Sequence, residues 1–157
     1  MTPLEILKAV KGLESNDIYE LYRNRGIEIV HKPELFVHSR CEARIISDIF
    51  GRTTVFLRMR PGEKPLFEKF ILWHELGHVI VKGPPAKRSE AFTAGIISSP
   101  DELEPNIFAV LALFRLSKGI QNLYQLSDHQ GIPMDVLHSV VGTLNSDPEF
   151  MEYLDSK

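Results

Sequence analysis

A single cysteine, Cys41, is all the thiol chemistry this chain contains. That scarcity excludes an internal disulfide and a cysteine-built zinc site, and it suits a reducing cytoplasm. Any bound metal must be held by His, Asp or Glu. Long apolar runs are missing as well, since no stretch reaches the roughly 18 residues of a membrane-spanning helix. The first residues, MTPLEILKAVKG, form a short amphipathic segment without the apolar middle and cleavage site of a signal peptide. The expectation is a cytoplasmic protein with no membrane partner. There is no strong excess of charge either: a net charge of -3 gives no field that would draw the chain to nucleic acid or anionic lipid. Repeats and low-complexity segments are absent. What remains is 157 residues, 43% of them apolar, the composition of one domain with room for a single core.

Several local signals order the elements. Thr2, Pro3 and Glu5 have the types of an N-cap, a first helical residue and a capping-box partner, and Gly12 is placed to close that helix. A second helix is expected over 18–24, ended by Gly26. The β-branched runs 27–30, 43–49 and 53–57, with Phe50, Gly51 and Arg52 as a turn, predict a three-stranded antiparallel sheet. From Pro65, positions Phe67, Phe70, Ile71, His74, His78 and Val81 recur at spacings of three and four, which places them on one face of a helix that Gly83, Pro84 and Pro85 stop. Residues 87–99 read as a loop with a strand at 94–97. Helices follow over 101–116, 120–130, 133–144 and 148–154. The order of helices, sheet and helices predicts an α+β fold, with a small antiparallel sheet against two central helices.

His74-Glu75-Leu76-Gly77-His78 is an H-E-x-x-H sequence on the helix with the clearest periodicity. Residues four apart on a helix have Cβ atoms about 5–6 Å apart, so both imidazoles can reach one ion. Glu75 projects about 100° around the helix from His74. It is placed to stand beside a Zn2+ ion without ligating it and to accept a proton from a metal-bound water, whose pKa zinc lowers to about 7. Gly77 inside this helix costs about 1 kcal/mol against Ala and wants a reason, such as close approach of another backbone.

A catalytic zinc generally has three protein ligands. None of His31, His38, His129 and His138 has a motif around it, and the better candidates are carboxylates near the start of the 101–116 helix. With Asp101 as N-cap, Glu104 becomes the capping-box partner and Glu102 is free, sharing a face with Asn106 four residues on. Glu102 would then ligate while the Asn106 oxygen accepts the far N–H of a ligand histidine. With Ser99 as N-cap and Pro100 first, Glu104 is freed instead. That start buries Pro105 deeper in the helix, where proline is costly, and so favours Glu102 over the alternative Glu104.

The two linked segments, His74 to His78 and Glu102-x-x-x-Asn106-x-Phe108-Ala109, resemble the ImmA/IrrE-type metallopeptidases, in which HExxH precedes an E-x-x-A-N/D-x-F-A helix. The resemblance covers roughly residues 18 to 115. It implies His74, His78 and Glu102 as zinc ligands, Glu75 as catalytic base, a short gluzincin-like protease, and as substrate a helix-turn-helix transcriptional repressor of a phage, mobile element or stress regulon. Pro105 departs from the family's alanine and implies a distorted first turn. After Ala109 the chain lacks the family's Leu-Leu-Met-Pro segment, so a longer helix is expected. On this reading residues 1–117 are a metallopeptidase core and 118–157 a C-terminal helical subdomain of one domain, 1–157.

The competing function is a non-catalytic metal-containing module that binds a repressor or DNA. Residues 126–144 loosely outline a helix-turn-helix around Gly131 and Ile132. Electrostatics oppose DNA: from Gly119 onward the only basic side chain is Lys157, against Asp128, Asp135, Asp147, Glu149, Glu152 and Asp155.

Overall fold

The computed structural model describes residues 1–83, 90–93, 100–117 and 122–156. Capping chemistry sets the first elements. In α1 (Pro3–Lys11) the Thr2 hydroxyl accepts from the Glu5 amide while the Glu5 carboxylate accepts from the Thr2 amide, the reciprocal box that the sequence predicts. Asp17 caps α2 (Ile18–Asn24), which Gly26 leaves with φ +65°.

The strands are β1 (Glu28–His31), β2 (Cys41–Ser47), β3 (Thr53–Leu57) and β4 (Glu90–Thr93). β2 and β3 form an antiparallel hairpin in register Ala43 to Leu57, Ile45 to Val55 and Ser47 to Thr53, and these six residues all point to the buried face. The Asp48 carboxylate accepts from the amides of Phe50 and Arg52, which ends β2 at Ser47 and leaves Ile49, expected inside the strand, exposed in the turn.

The fold is α+β, but the expected all-antiparallel, three-stranded sheet needs correction. The strand order is β1-β3-β2-β4, and β1 lies parallel to β3. The connection from β1 to β2 holds a 3-10 turn (Pro33–Phe36) and is too long for a tight hairpin, so the chain steps over one strand position before returning as β2. The strand expected at 94–97 lies outside the described residues, while β4 pairs antiparallel with β2 at Glu90–Thr93.

Helices α3 (Pro65–Lys82) and α4 (Pro100–Leu116) pack on each other and form the centre. Every residue of α3 from Phe70 to His78 is buried, so this helix is covered all round rather than along the single stripe that its periodicity suggests. Trp73 is core, tilted against Phe108 of α4 at 6.3 Å between ring centres. The C-terminal helices α5 (Leu123–Gln130), α6 (Met134–Asn145) and α7 (Pro148–Asp155) add Leu126, Val136, Leu137, Val140 and Phe150 to the same apolar cluster. Gly131 (φ +65°) joins α5 to α6 where a Cβ would come within 2.7 Å of the Phe67 amide nitrogen, so the turn is wedged against the start of α3. No helix among the described residues is long and apolar enough to cross a membrane.

Candidate metal centre

Two helices supply the site. His74 and His78 stack one turn apart on α3, their rings edge-to-face at 4.9 Å between centres, with Nε2 atoms 3.2 Å apart. From α4, Glu102 Oε2 lies 2.6 Å from His74 Nε2 and 3.3 Å from His78 Nε2. Asn106, one turn further along α4 and fully buried, places Oδ1 2.7 Å from His74 Nδ1. Among the described residues this is the one group of three or more His, Cys, Asp or Glu side chains close enough to share an ion.

The side-chain chemistry makes this convergence hard to sustain without a cation. An oxygen of Asn106 can only accept, so the His74 proton sits on Nδ1 and its Nε2 presents a lone pair. That lone pair faces a carboxylate oxygen and a second imidazole nitrogen. A second proton on His74 would relieve the repulsion, but burial pushes the ring toward its neutral form, against the opposing pull of Glu102. Burial also works to raise Glu102, yet its close contacts with the two imidazoles outweigh it and lower the carboxyl to about 2. Glu102 is therefore anionic and His74 neutral, the form in which these groups bind metals.

Size agrees with chemistry. Ligands around a tetrahedral ion at about 2.0–2.1 Å stand roughly 3.4 Å apart. Two of the three edges, at 3.2 and 3.3 Å, already match, and the third, at 2.6 Å, needs to lengthen by less than an ångström. These residues fit a small tetrahedral cation such as Zn2+ without moving either helix.

The approach of α3 to α4 depends on two residues that are each unfavourable in a helix. A Cβ on Gly77 would stand 3.0 Å from Pro105 Cα and 3.1 Å from its carbonyl oxygen. Gly77 thus lets the second helix pass at backbone distance, opposite the proline that lies inside α4 one residue before Asn106. Sequence reasoning noted both residues without pairing them. The signal available was that both departures fall inside the two motif segments.

Glu75 lies between the histidines on α3 and is 1% exposed. Its charge, after burial, helps hold the neighbouring Tyr22 phenol well above its ordinary range, and that phenol donates to the Leu72 carbonyl at 2.6 Å. Glu104 is turned away from the site and takes the Met1 ammonium at 2.9 Å. The helix start differs from the one that favoured Glu102: α4 begins at Pro100, not after Asp101, and Ser99 lies outside the described residues. Glu102 faces the histidines all the same, because its i, i+4 relation to Asn106 holds wherever the helix begins. His31 is engaged elsewhere, with Glu68 Oε1, whose other oxygen accepts from the Tyr19 hydroxyl at 2.6 Å.

Compared with known proteins, the chain matches no family model, no curated protein and no solved structure.

Proposed function

We propose that this protein is a zinc-dependent endopeptidase of the ImmA/IrrE type, with His74, His78 and Glu102 as ligands and Glu75 as catalytic base. The observation that carries the proposal is the meeting of two imidazole nitrogens and a carboxylate oxygen at close to the separations of a tetrahedral zinc site, on a helix that reads H-E-x-x-H. Zinc in such a site acts as a Lewis acid on a carbonyl and brings the pKa of bound water near neutrality.

The chain's own residues supply the rest. Asn106 holds His74 in the tautomer whose Nε2, turned toward His78 and Glu102, would hold the ion. Glu102 contributes negative charge, which balances part of the cation's. Glu75, low in exposure and one residue from a ligand, is the group that takes a proton from the attacking water and returns it to the leaving amine. A positioned carboxylate contributes about 10²–10⁴-fold in such a step. The substrate class in keeping with the family resemblance is a helix-turn-helix repressor, bound as protein; the acidic C-terminal segment speaks against binding to the repressor's DNA.

The test is zinc content and cleavage of a candidate repressor by wild type, Glu75→Gln, Glu102→Gln and Glu104→Gln. The expected pattern is zinc kept but turnover reduced about 10²-fold or more in Glu75→Gln, zinc lost only in Glu102→Gln, and near-wild-type behaviour in Glu104→Gln. Unchanged cleavage in Glu75→Gln sinks the peptidase reading. Zinc retained by wild type with no cleavage would leave the non-catalytic module.

A further inference from the structure

Away from the metal centre, α1, α4, α5, α6 and α7 line a cavity of about 470 Å³. Its floor is apolar, formed by Val10, Val110, Leu126, Leu137 and Phe150, all buried. Interiors pack to the density of organic crystals and leave few voids larger than a water molecule. A space this large falls instead in the range of about 300–1,000 Å³ typical of small-molecule sites.

The walls are held apart by polar struts. Arg115 of α4 donates to the Val10 carbonyl of α1 at 2.9 Å. Lys11 at the end of α1 donates to the Tyr153 hydroxyl of α7 at 3.1 Å and lies over that ring. Between these struts Phe114 and Leu154, which a simple collapse would bring together, remain 57% and 45% exposed. Both cations line the opening, and neither makes an ion pair with a carboxylate among the described residues. An apolar chamber with two uncompensated positive charges at its mouth has the chemistry of a site for an amphiphile whose head is anionic.

The geometry points to this cavity as a binding site for a small anionic amphiphile, a single carboxylate or phosphate on a hydrocarbon or aromatic body, with Lys11 and Arg115 at the head and the apolar floor around the tail. The site is separate from the metal centre and does not depend on peptidase activity. It does share a helix with that centre, since Glu102 and Asn106 lie toward one end of α4 and Val110, Phe114 and Arg115 toward the other.

Calorimetric titration of the full chain with decanoate and with decanol, both below micelle-forming concentrations, tests the assignment. Expected are one saturable decanoate site and decanol binding weaker by roughly tenfold or more, the worth of one charge-assisted contact. Lys11→Gln and Arg115→Gln, singly and together, should remove that preference while leaving decanol binding in place. Filling the chamber with Val141→Phe should abolish both. The single-charge variants keep the test decisive if the filled variant fails to fold. Equal affinity for decanoate and decanol in wild type, no saturable site, or a stable dimer by sedimentation that decanoate does not dissociate would each overturn the proposal, the last by giving the opening to a second copy.

Discussion

The hydrogen bond between His74 Nδ1 and Asn106 Oδ1 shows how much one neutral side chain can decide. By accepting a hydrogen bond from one side of the ring it fixes which nitrogen faces Glu102 and His78, so the ring is oriented in the metal-free protein. Removing it leaves the ligand set intact but free to rotate or change tautomer. Asn106→Ala is therefore expected to weaken zinc binding about 10–100-fold, the usual loss for such a partner, with the three ligands still present. Competition with a chromophoric chelator measures this, and an unchanged affinity would remove Asn106 from the site's design. The convergence of the candidate ligands was legible in sequence because a helix fixes which side chains share a face. Both His74 with His78 and Glu102 with Asn106 are pairs four residues apart, and that relation survives an error in where α4 begins. The cap itself was misjudged, because the cost of a proline inside the helix was weighed without the neighbour against which Pro105 packs.

That neighbour is Gly77, and the pair sets the distance between α3 and α4. Gly77→Ala pits two effects against each other. Ala gains up to about 1 kcal/mol of helix propensity over Gly. Its methyl, however, would meet Pro105 backbone atoms at 3.0 and 3.1 Å, which cannot swing aside as a flexible side-chain end could. Overpacking of this kind costs about 1–3 kcal/mol, so the clash outweighs the propensity gain. The expected result is net destabilisation in urea unfolding of the metal-free protein, together with weaker zinc binding as α4 moves off. A stabilised Gly77→Ala would mean that the helices are not held at this contact. The helices themselves could be read from caps and periodicity, as with Thr2 and Glu5 in α1. The arrangement of the strands could not. Which strand neighbours which is decided by partners distant in sequence, and nothing local at residues 27–30 distinguishes an antiparallel neighbour of β2 from a parallel neighbour of β3.

For the molecule as a whole, the centre is a stability element as well as a candidate catalytic one. In the metal-free protein burial depresses His74, and the histidines depress Glu102 from the ordinary 4.5 to about 2. Both folded values lie below the unfolded ones, so on acidification the unfolded chain takes up more protons than the folded protein and stability falls. The His74 part is lost as pH drops through and below the unfolded histidine value of about 6.5. The Glu102 part is fully present above 4.5 and disappears as pH falls toward 2. Urea-unfolding free energies of the metal-free protein should decline from pH 7 to 5, with a smaller decline in His74→Gln, and a flat wild-type profile would contradict this. Zinc that binds only the folded state adds stability by mass action, so chelation is expected to lower the melting temperature.

The parallel edge of the sheet also bears on the order of assembly. The hairpin of β2 and β3 closes over a short turn, but Glu28 must find Thr54 and His31 must find Leu57 across a loop of about two dozen residues, and a longer closure costs more chain entropy before any contact rewards it. β1 should therefore dock after the hairpin exists. Truncating Ile29 to Ala is expected to speed unfolding while leaving the folding rate nearly unchanged, as for contacts formed after the rate-limiting barrier. The strand that comes first in the chain is, on this view, laid down only after the hairpin of β2 and β3 and lost before it.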